Sequence, residues 1–201
     1  MNVSDRRTQA ERSGQTRTAL LDAARGLFGT LGYAAVSTTE IVAEAGVTRG
    51  ALYHHFADKR ELFRAVYEGV EEDLTRRSAA ALTLGDSEDI VAALIAGGEA
   101  FLDACLDRPI RRIVLEDGPA VLGWAEWRAI GERHGLGVIE GALRYGVESG
   151  RLRELPVRAS AHALLGALDE LALWVATAED PAVAREHAGE SLRAIAASLG
   201  R

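Results

Sequence analysis

A short segment in the first third of the chain carries side chains that suit contact with duplex DNA. Arg49 has two donors that can reach O6 and N7 of a guanine in the major groove. Ala51 can contact a thymine methyl group, while Tyr53 and His54 can donate hydrogen bonds to phosphate oxygens. Thr48 opens the segment at a predicted helix N-terminus, where free N–H groups favour a phosphate. We therefore expect residues 48–54 to contact DNA.

Two short helices and a tight turn must present this segment. Ser37-Thr38-Thr39-Glu40 predicts a capping box at the start of the first of these helices. Gly46 ends that helix, and residues 45–48 separate it from the next. Gly50 lets the backbone approach a ligand closely, and Leu52 is expected to face inward. A glycine turn between two short helices is typical of a helix-turn-helix motif, whose second helix enters the major groove.

Residues just after this segment allow fewer roles. His54 and His55 are adjacent, so their side chains point about 100° apart on a helix and make a poor metal pair. For His55, beside Phe56, we favour packing or capping over DNA contact. Lys59 is the only lysine in the chain and follows Asp58, the predicted N-cap of a fourth helix. Because the helix dipole disfavours a cation there, a neighbouring phosphate would explain its position.

Apolar residues recur at helical spacing along the rest of the chain, and no alternating Val, Ile or Thr runs predict strands. We expect a first helix from about Thr16 to Leu31, a cap at Ser87 for a body helix, and one long or broken helix from Val121 to Val147. Two more helices, from Pro156 to Thr177 and from Asp180 to Leu199, complete an all-α fold.

The stretch Ser37 to Phe56, with Gly32-Tyr33 before it and Lys59-Arg60-Glu61-Leu62 after it, resembles the signature of tetracycline-repressor-type (TetR) regulators. The resemblance covers about Thr16 to Phe63, and a valine at Val36 departs from a threonine common in such proteins, which puts one polar contact in question. It implies base contacts by Thr39, Thr48, Arg49 and Ala51, and phosphate contacts by Ser37, Thr38, Tyr53, His54 and Lys59.

The resemblance also implies an architecture. A three-helix DNA-binding domain is joined by a fourth helix to an all-helical body that dimerises through its last two helices and holds a ligand pocket. We accordingly assign residues 1–15 to a flexible basic arm, 16–62 to the helix-turn-helix domain and 63–201 to the ligand-binding and dimerisation domain.

The charge distribution fits a protein that offers one end to a polyanion. The net charge is −7, yet residues 1–60 carry eight basic and six acidic groups, while the remainder is strongly acidic. The alternative is chance variation of surface charge. The polar N-terminus does not read as a secretory signal, and no segment approaches a membrane span, so we expect a cytoplasmic protein without membrane contact. The lone Cys105 fits a reducing compartment.

The body carries no motif as specific as the helix-turn-helix. Its large aromatic and other pocket candidates could line an effector site or fill the core; they are Phe101, Cys105, Trp124, Trp127, His134, Tyr145 and Trp174. Asp103, Glu116, His134 and Asp169 could orient a ligand or be solvated. No nucleotide, nucleophile or metal-ligand pattern occurs, so we expect no cofactor, no metal and no enzyme activity.

Apolar stripes on the last two helices are the candidate dimer interface. They comprise Ala161, Leu164, Leu165, Leu168, Leu171 and Ala172 on one helix and Val183, Leu192, Ile195, Ala196 and Leu199 on the other. The alternative is that they cover the body of a monomer. Together these patterns predict a ligand-responsive repressor that binds a pseudo-palindromic operator as a homodimer. A helical enzyme or ligand carrier, and an activator rather than a repressor, stay open as alternatives.

Overall fold

The computed structural model describes residues 3–83 and 89–200, and within these ranges the fold is all-α, as predicted. The helices are α1 Val3–Leu31, α2 Thr38–Glu44, α3 Arg49–His55, α4 Lys59–Thr83, α5 Ile90–Leu106, α6 Arg108–Arg111, α7 Gly118–Leu122, α8 Trp124–Gly131, α9 Gly137–Glu148, α10 Val157–Thr177 and α11 Pro181–Ala197. Two π-helical segments, Arg112–Asp117 and Glu132–Leu136, continue α6 and α8.

Helix α1 begins well before the position that the sequence predicted. It starts at Val3 rather than near Thr16, so the described part of the expected flexible arm is helical. The Thr16 hydroxyl donates a 2.9 Å hydrogen bond to the carbonyl of Arg12, four residues earlier. Thr16 therefore lies inside a continuous helix and does not cap one. The prediction failed because residues 3–15 are mostly polar and have no apolar face in the sequence, so no helical periodicity could be recognised there.

Buried apolar side chains pack α2 and α3 against α1 and α4. Leu20, Ile41 and Leu52 are fully buried at this centre. The ring of Phe63 on α4 lies edge-on to that of Phe28 on α1, with centroids 5.4 Å apart. These contacts fix the position of the helix-turn-helix on the end of α4.

Side-chain caps fix the first residues of two body helices, α5 and α11. Asp89 caps α5, since its carboxylate accepts hydrogen bonds from the N–H groups of Val91 and Ala92. The predicted cap, Ser87, lies outside the described residues. Asp180 caps α11 in the same way, as predicted from Asp180-Pro181. The predicted helix from Val121 to Val147 is broken at Gly123, whose φ of +82° favours glycine.

Helix α10 is more apolar along its length than the sequence analysis expected of any segment. It has 21 residues, and the mean hydropathy of an 18-residue window within it is 1.2; this would suffice for a membrane span by length and composition, although no such segment was predicted. The same test is passed by core helices of globular proteins, and α10 carries Asp169 and Glu170 near its middle. Its buried face packs within the body through residues such as Leu165 and Val175.

The predicted dimer stripes mostly face the core of their own chain. Ala161, Leu164, Leu165, Ala172, Leu192, Ala196 and Leu199 are buried within the protomer. They pack there against neighbouring body helices, so for these residues the monomer-covering alternative is right. Other apolar side chains of α10 and α11 stay exposed, namely Trp174, Val183 and Ile195.

Polar contacts tie the helix-turn-helix end of the molecule to the body. The guanidinium groups of Arg60 and Arg64 on α4 each donate a 2.7 Å hydrogen bond to Glu126 on α8. The N–H of Tyr33 donates a 2.7 Å hydrogen bond to Asp117. Helix α4 itself runs on into the body and so belongs to both parts of the molecule.

Candidate nucleic-acid interface and body cavity

A complete capping box starts α2. The Ser37 hydroxyl accepts from the N–H of Glu40 at 3.2 Å, and the Glu40 carboxylate accepts from the N–H of Ser37 at 2.8 Å. The Ser37 hydroxyl also donates to Glu40, at 2.7 Å, and these bonds lower the pKa of Glu40. The predicted cap is confirmed. A phosphate contact by the Ser37 hydroxyl would have to replace its hydrogen bond to Glu40.

The turn and the cap of α3 aim its N-terminus away from the protein. Gly46 adopts a φ of +65° in the turn, a left-handed conformation that favours glycine. The Thr48 hydroxyl caps α3 by accepting from the N–H of Ala51 at 3.2 Å. Leu52 and Phe56 are buried beneath the helix. The outer face of α3, with Arg49 and its neighbours, is consequently left exposed.

A cluster of three side chains joins α2 to α3 on this exposed face. Interaction of the Tyr53 side chain with Arg49, and next with Thr38, lowers the pKa of Tyr53. The Arg49 guanidinium carbon lies 5.5 Å from the centroid of the Tyr53 ring, in cation–π contact. These contacts hold the side chains of Arg49 and Tyr53 together on the exposed face of α3.

Lys59 has a structural role that the sequence did not reveal. Its ammonium donates hydrogen bonds of 2.9 Å to the carbonyls of Tyr33 and Val36, and it lies 4.0 Å from the centroid of the Tyr33 ring. Two of its three donors are therefore engaged in closing the connection between α1 and α2. One donor is left for a phosphate. The side chain of Val36, the position that departs from the usual threonine, is buried in the core.

The two histidines at the end of α3 differ. His54 is exposed, whereas His55 is half-buried between His54 and Phe56, with the two imidazole centroids 5.1 Å apart. Burial first, and then the neighbouring His54 and Arg17, lower the pKa of His55. This surrounding agrees with a packing role for His55.

The predicted DNA contacts share one end of the molecule. Seven of them are exposed, namely Ser37, Thr39, Thr48, Arg49, Gly50, Tyr53 and His54, while Thr38, Ala51 and Lys59 are half-buried. All ten lie on α2, on α3, or in the residues that cap these helices and begin α4. The structure therefore brings together the residues that the sequence proposed for DNA, and their individual contacts stay predictions.

A second site lies inside the body, in a cavity of about 80 Å³. Most of its lining is apolar and comes from several body helices and α4, including Leu74, Leu94, Phe101, Ile139, Leu168 and Leu192. Four polar side chains also line it: Glu71, Thr75 and Ser78 on α4, and Asp169 on α10. An apolar cavity with a few polar groups is typical of a small-molecule site.

Both carboxyl groups of the cavity are perturbed by burial. The Tyr67 hydroxyl donates a 2.7 Å hydrogen bond to Glu71, yet burial raises the pKa of Glu71. Burial, and next the nearby Glu71, raise the pKa of Asp169 to about 7, against the opposing effect of Arg128 at 2.8 Å. The cavity thus contains two acidic groups whose charged forms are both disfavoured.

Comparisons with known proteins agree with this arrangement of an N-terminal helix-turn-helix and a helical body. The family described as "Bacterial regulatory proteins, tetR family" matches residues 20–66, and "Tetracyclin repressor-like, C-terminal domain" matches residues 91–199, more than half of the chain. The chain belongs to the TetR family. It is therefore a DNA-binding transcriptional regulator and not an enzyme.

Individual TetR-family proteins support this membership. The transposon Tn10 TetC protein of Escherichia coli is 30% identical over 151 residues, 75% of each chain. The HTH-type transcriptional regulator CymR of Pseudomonas putida is 39% identical over 114 residues, and the match spans only 56% of either chain. A TetR-family regulator from Pectobacterium atrosepticum has a crystal structure with a TM-score of 0.85 and 32% identity, covering 94% of this chain and 96% of its own.

Most side chains predicted to bind a ligand in this TetR-family body do not line the cavity. Phe101 does line it. Trp124, Tyr145 and Trp174 are exposed on the outside of the body, and His134 is half-buried away from the lining. Trp127 is buried in the core and donates a 2.9 Å hydrogen bond to the carbonyl of Val114. Cys105 is buried behind the lining, where burial raises the pKa of its thiol to about 12.

The prediction chose large aromatic residues, whereas helix packing decides which side chains face a cavity. Asp103 and Glu116 are ion-paired with arginines elsewhere on the body, and of the polar candidates Asp169 reaches the cavity. Glu71 and Ser78 were missed. A signal existed, because Glu71, Leu74 and Ser78 share one helix face at spacings of three and four, where an acid within an apolar stripe is unusual.

Proposed function

We propose that this TetR-family regulator is a cytoplasmic, ligand-responsive repressor that binds a pseudo-palindromic operator as a homodimer. The observation that carries the DNA-binding part is the outward face of α3, on which the exposed Arg49 lies in cation–π contact with Tyr53 at the N-terminus of the helix. A guanidinium held in this way suits bidentate contact with a guanine, and the N-terminus suits a phosphate. In a dimer, two such helices would meet successive major grooves.

The dimer proposal is supported by apolar side chains that the protomer leaves exposed. Trp174 on α10 is 45% exposed, and Val183 and Ile195 on α11 are 47% and 38% exposed. Such side chains on the last two helices suit a four-helix interface with a second copy. An Ile195→Glu variant is expected to shift the protein from dimer to monomer in sedimentation equilibrium and to weaken operator binding. Unchanged mass in that measurement would argue against this interface.

The ligand response is supported by the continuity of α4. The same helix carries Arg60 and Arg64 at the junction with the helix-turn-helix and Glu71, Leu74 and Ser78 at the cavity. A ligand that moves α4 in the body would therefore change the separation of the two recognition helices. A coupling free energy of about 1–3 kcal/mol would suffice to release an operator.

The decisive experiment measures DNA binding by fluorescence anisotropy. The fragments are the promoter region of the native locus and a scrambled fragment of equal length, each at two salt concentrations. We expect tight binding to the native fragment with a strong salt dependence, and weak binding to the scrambled one. Equal affinity for both fragments would contradict the operator proposal. Increased expression of the adjacent genes in a deletion strain would identify repression, and decreased expression would contradict it.

A further inference from the structure

We propose that the body cavity binds an elongated apolar molecule with one cationic amine, and that Glu71 and Asp169 bind the amine. The inference rests on the proposed function, in which this cavity holds the effector. It follows from the polar groups of the lining, which are two carboxyl groups and two hydroxyl groups among apolar side chains. An apolar skeleton suits most of the lining, and the carboxyl groups decide which head group fits.

The carboxyl groups at and beside the cavity outnumber the cationic side chains that pair with them. Asp169 is paired with Arg128 at 2.8 Å, but Arg128 is shared with Glu132 at 3.2 Å. Glu71 has a hydrogen bond from the uncharged Tyr67. Among the described residues, the titratable and charged groups facing these carboxyls from the packed elements are Tyr67 on α4, Cys105 on α5, Arg128 on α8, Glu132 in the π-helical segment and His162 on α10 beside Glu132.

This imbalance discriminates between head groups. Glu132 and Asp169 share the Arg128 guanidinium, and Glu71 has no ion pair among the described residues, so a bound ammonium would supply a positive charge that these carboxyl groups lack. A bound carboxylate would add a further negative charge in a site where burial already disfavours the existing ones. A neutral hydroxyl could hydrogen-bond but would leave the charge imbalance unchanged. Charge-assisted hydrogen bonds are roughly twice as strong as neutral ones, so an amine is favoured over both alternatives.

A second polar group sets the length of the molecule. The Ser78 hydroxyl lines the cavity, is buried, and has no hydrogen-bond partner within residues 3–83 and 89–200. It lies seven residues after Glu71 on α4, which is about 10 Å along the helix axis. Leu74 lies between them on the same face. A ligand whose amine meets Glu71 could therefore place a hydroxyl or ether group at Ser78, with an apolar chain across Leu74.

The test compares probes that share one skeleton and differ in head group. Isothermal titration calorimetry would measure the binding of hexylamine, hexanol and hexanoate to the full-length protein. We expect hexylamine to bind at least about tenfold more tightly than hexanol, and hexanoate to bind most weakly. The affinity for hexylamine should rise from about pH 6 to about pH 8, because the carboxyl groups lose their protons while the amine stays charged. 6-Aminohexanol should bind more tightly than hexylamine, and Ser78→Ala should abolish that gain.

Conservative variants assign the effect to the cavity. Glu71→Gln keeps the size of the side chain and can still accept from Tyr67. Asp169→Asn keeps the size of its side chain and can still accept from Arg128. Each is expected to remove the preference for hexylamine over hexanol, because the affinity for hexylamine falls by more than the affinity for hexanol. Glu72→Gln, on the exposed side of α4, is the matched control and should keep the preference. If a variant fails to fold, the probe series on the unmodified protein still decides.

Hexanol or hexanoate binding as tightly as hexylamine would overturn the proposal, as would no detectable hexylamine binding up to about 10 mM. Different results would contradict the proposed function. If hexylamine binds with the expected preference but operator DNA is not released in the anisotropy assay, the ligand class stands and the ligand response is wrong. If the operator is released by a molecule without an amine that competes with hexylamine, the ligand response stands and the assigned class is wrong.

Discussion

Arg60, in the first turn of α4, donates a 2.7 Å hydrogen bond to the carboxylate of Glu126 on α8. Sixty-six positions separate the two residues in the chain, and Arg64 binds the other carboxylate oxygen. Together they connect the DNA-binding end of the regulator with the body at the point where α4 passes from one to the other.

The pH dependence of stability is expected to report this connection. The hydrogen bond from Arg60, and then that from Arg64, lower the pKa of Glu126 below its ordinary 4.5. A lowered pKa in the folded state means that the carboxylate stabilises the protein above the unfolded pKa, and that this contribution is lost as the pH falls through the folded pKa. Glu126→Gln should therefore lower the Tm at pH 7, and the two proteins should converge as the pH falls below the folded pKa of Glu126. Glu148→Gln, an exposed residue, serves as the control.

The Arg49→Ala substitution is expected to reduce base discrimination. Loss of a bidentate contact with guanine costs about 1–3 kcal/mol, which corresponds to a loss of roughly 5- to 150-fold in the ratio of native to scrambled operator affinity. Anisotropy titrations on both fragments would measure that ratio. Arg144→Ala removes an exposed arginine of α9 and should leave it unchanged. An unaltered ratio for Arg49→Ala would show that Arg49 does not read a base.

Lys59→Ala should affect folding as well as DNA binding. Its ammonium binds the carbonyls of Tyr33 and Val36, so removal takes this partner from the Val36 carbonyl and leaves the Tyr33 carbonyl with only the 3.4 Å hydrogen bond from the Val36 N–H. We expect the free energy of unfolding to fall by about 1–3 kcal/mol in urea titrations. Operator affinity should weaken evenly across sequences, with a smaller salt slope if the third donor meets a phosphate. A variant with undiminished stability would contradict the role in closing the α1–α2 connection.

Two glycine substitutions are expected to have opposite effects on stability. Gly46→Ala places a side chain at a φ of +65° and should destabilise the protein by about 1–2 kcal/mol. Gly50→Ala lies in α3, where an added Cβ would come no closer than 3.9 Å to the Thr48 hydroxyl. That change should stabilise the helix by about 0.5–1 kcal/mol. If the backbone at Gly50 approaches DNA closely, operator affinity should nevertheless decrease; unchanged affinity would exclude a close approach.

The sequence was informative where structure depends on neighbours along the chain. The Ser37–Glu40 capping box, the turn at Gly46 and the Asp180 cap each involve residues within a few positions, and each is present. The role of Lys59 could not be predicted, because its partners are backbone carbonyls more than twenty positions away. Every residue has a backbone carbonyl, so the amino-acid type does not indicate which one binds a side chain. Most residues that line the cavity were not predicted for the same reason, because the cavity is formed by helices from distant parts of the chain.

The reactivity of the buried Cys105 thiol can be used to measure transient opening of the body. It is the sole thiol in the chain, it is 5% exposed, and burial raises its pKa to about 12. A thiol reagent can therefore react only when α5 separates transiently from its neighbours, so the labelling rate measures how often the body opens. Effector molecules that tighten or loosen the body could be ranked by that rate, without a label being introduced and without the operator being known.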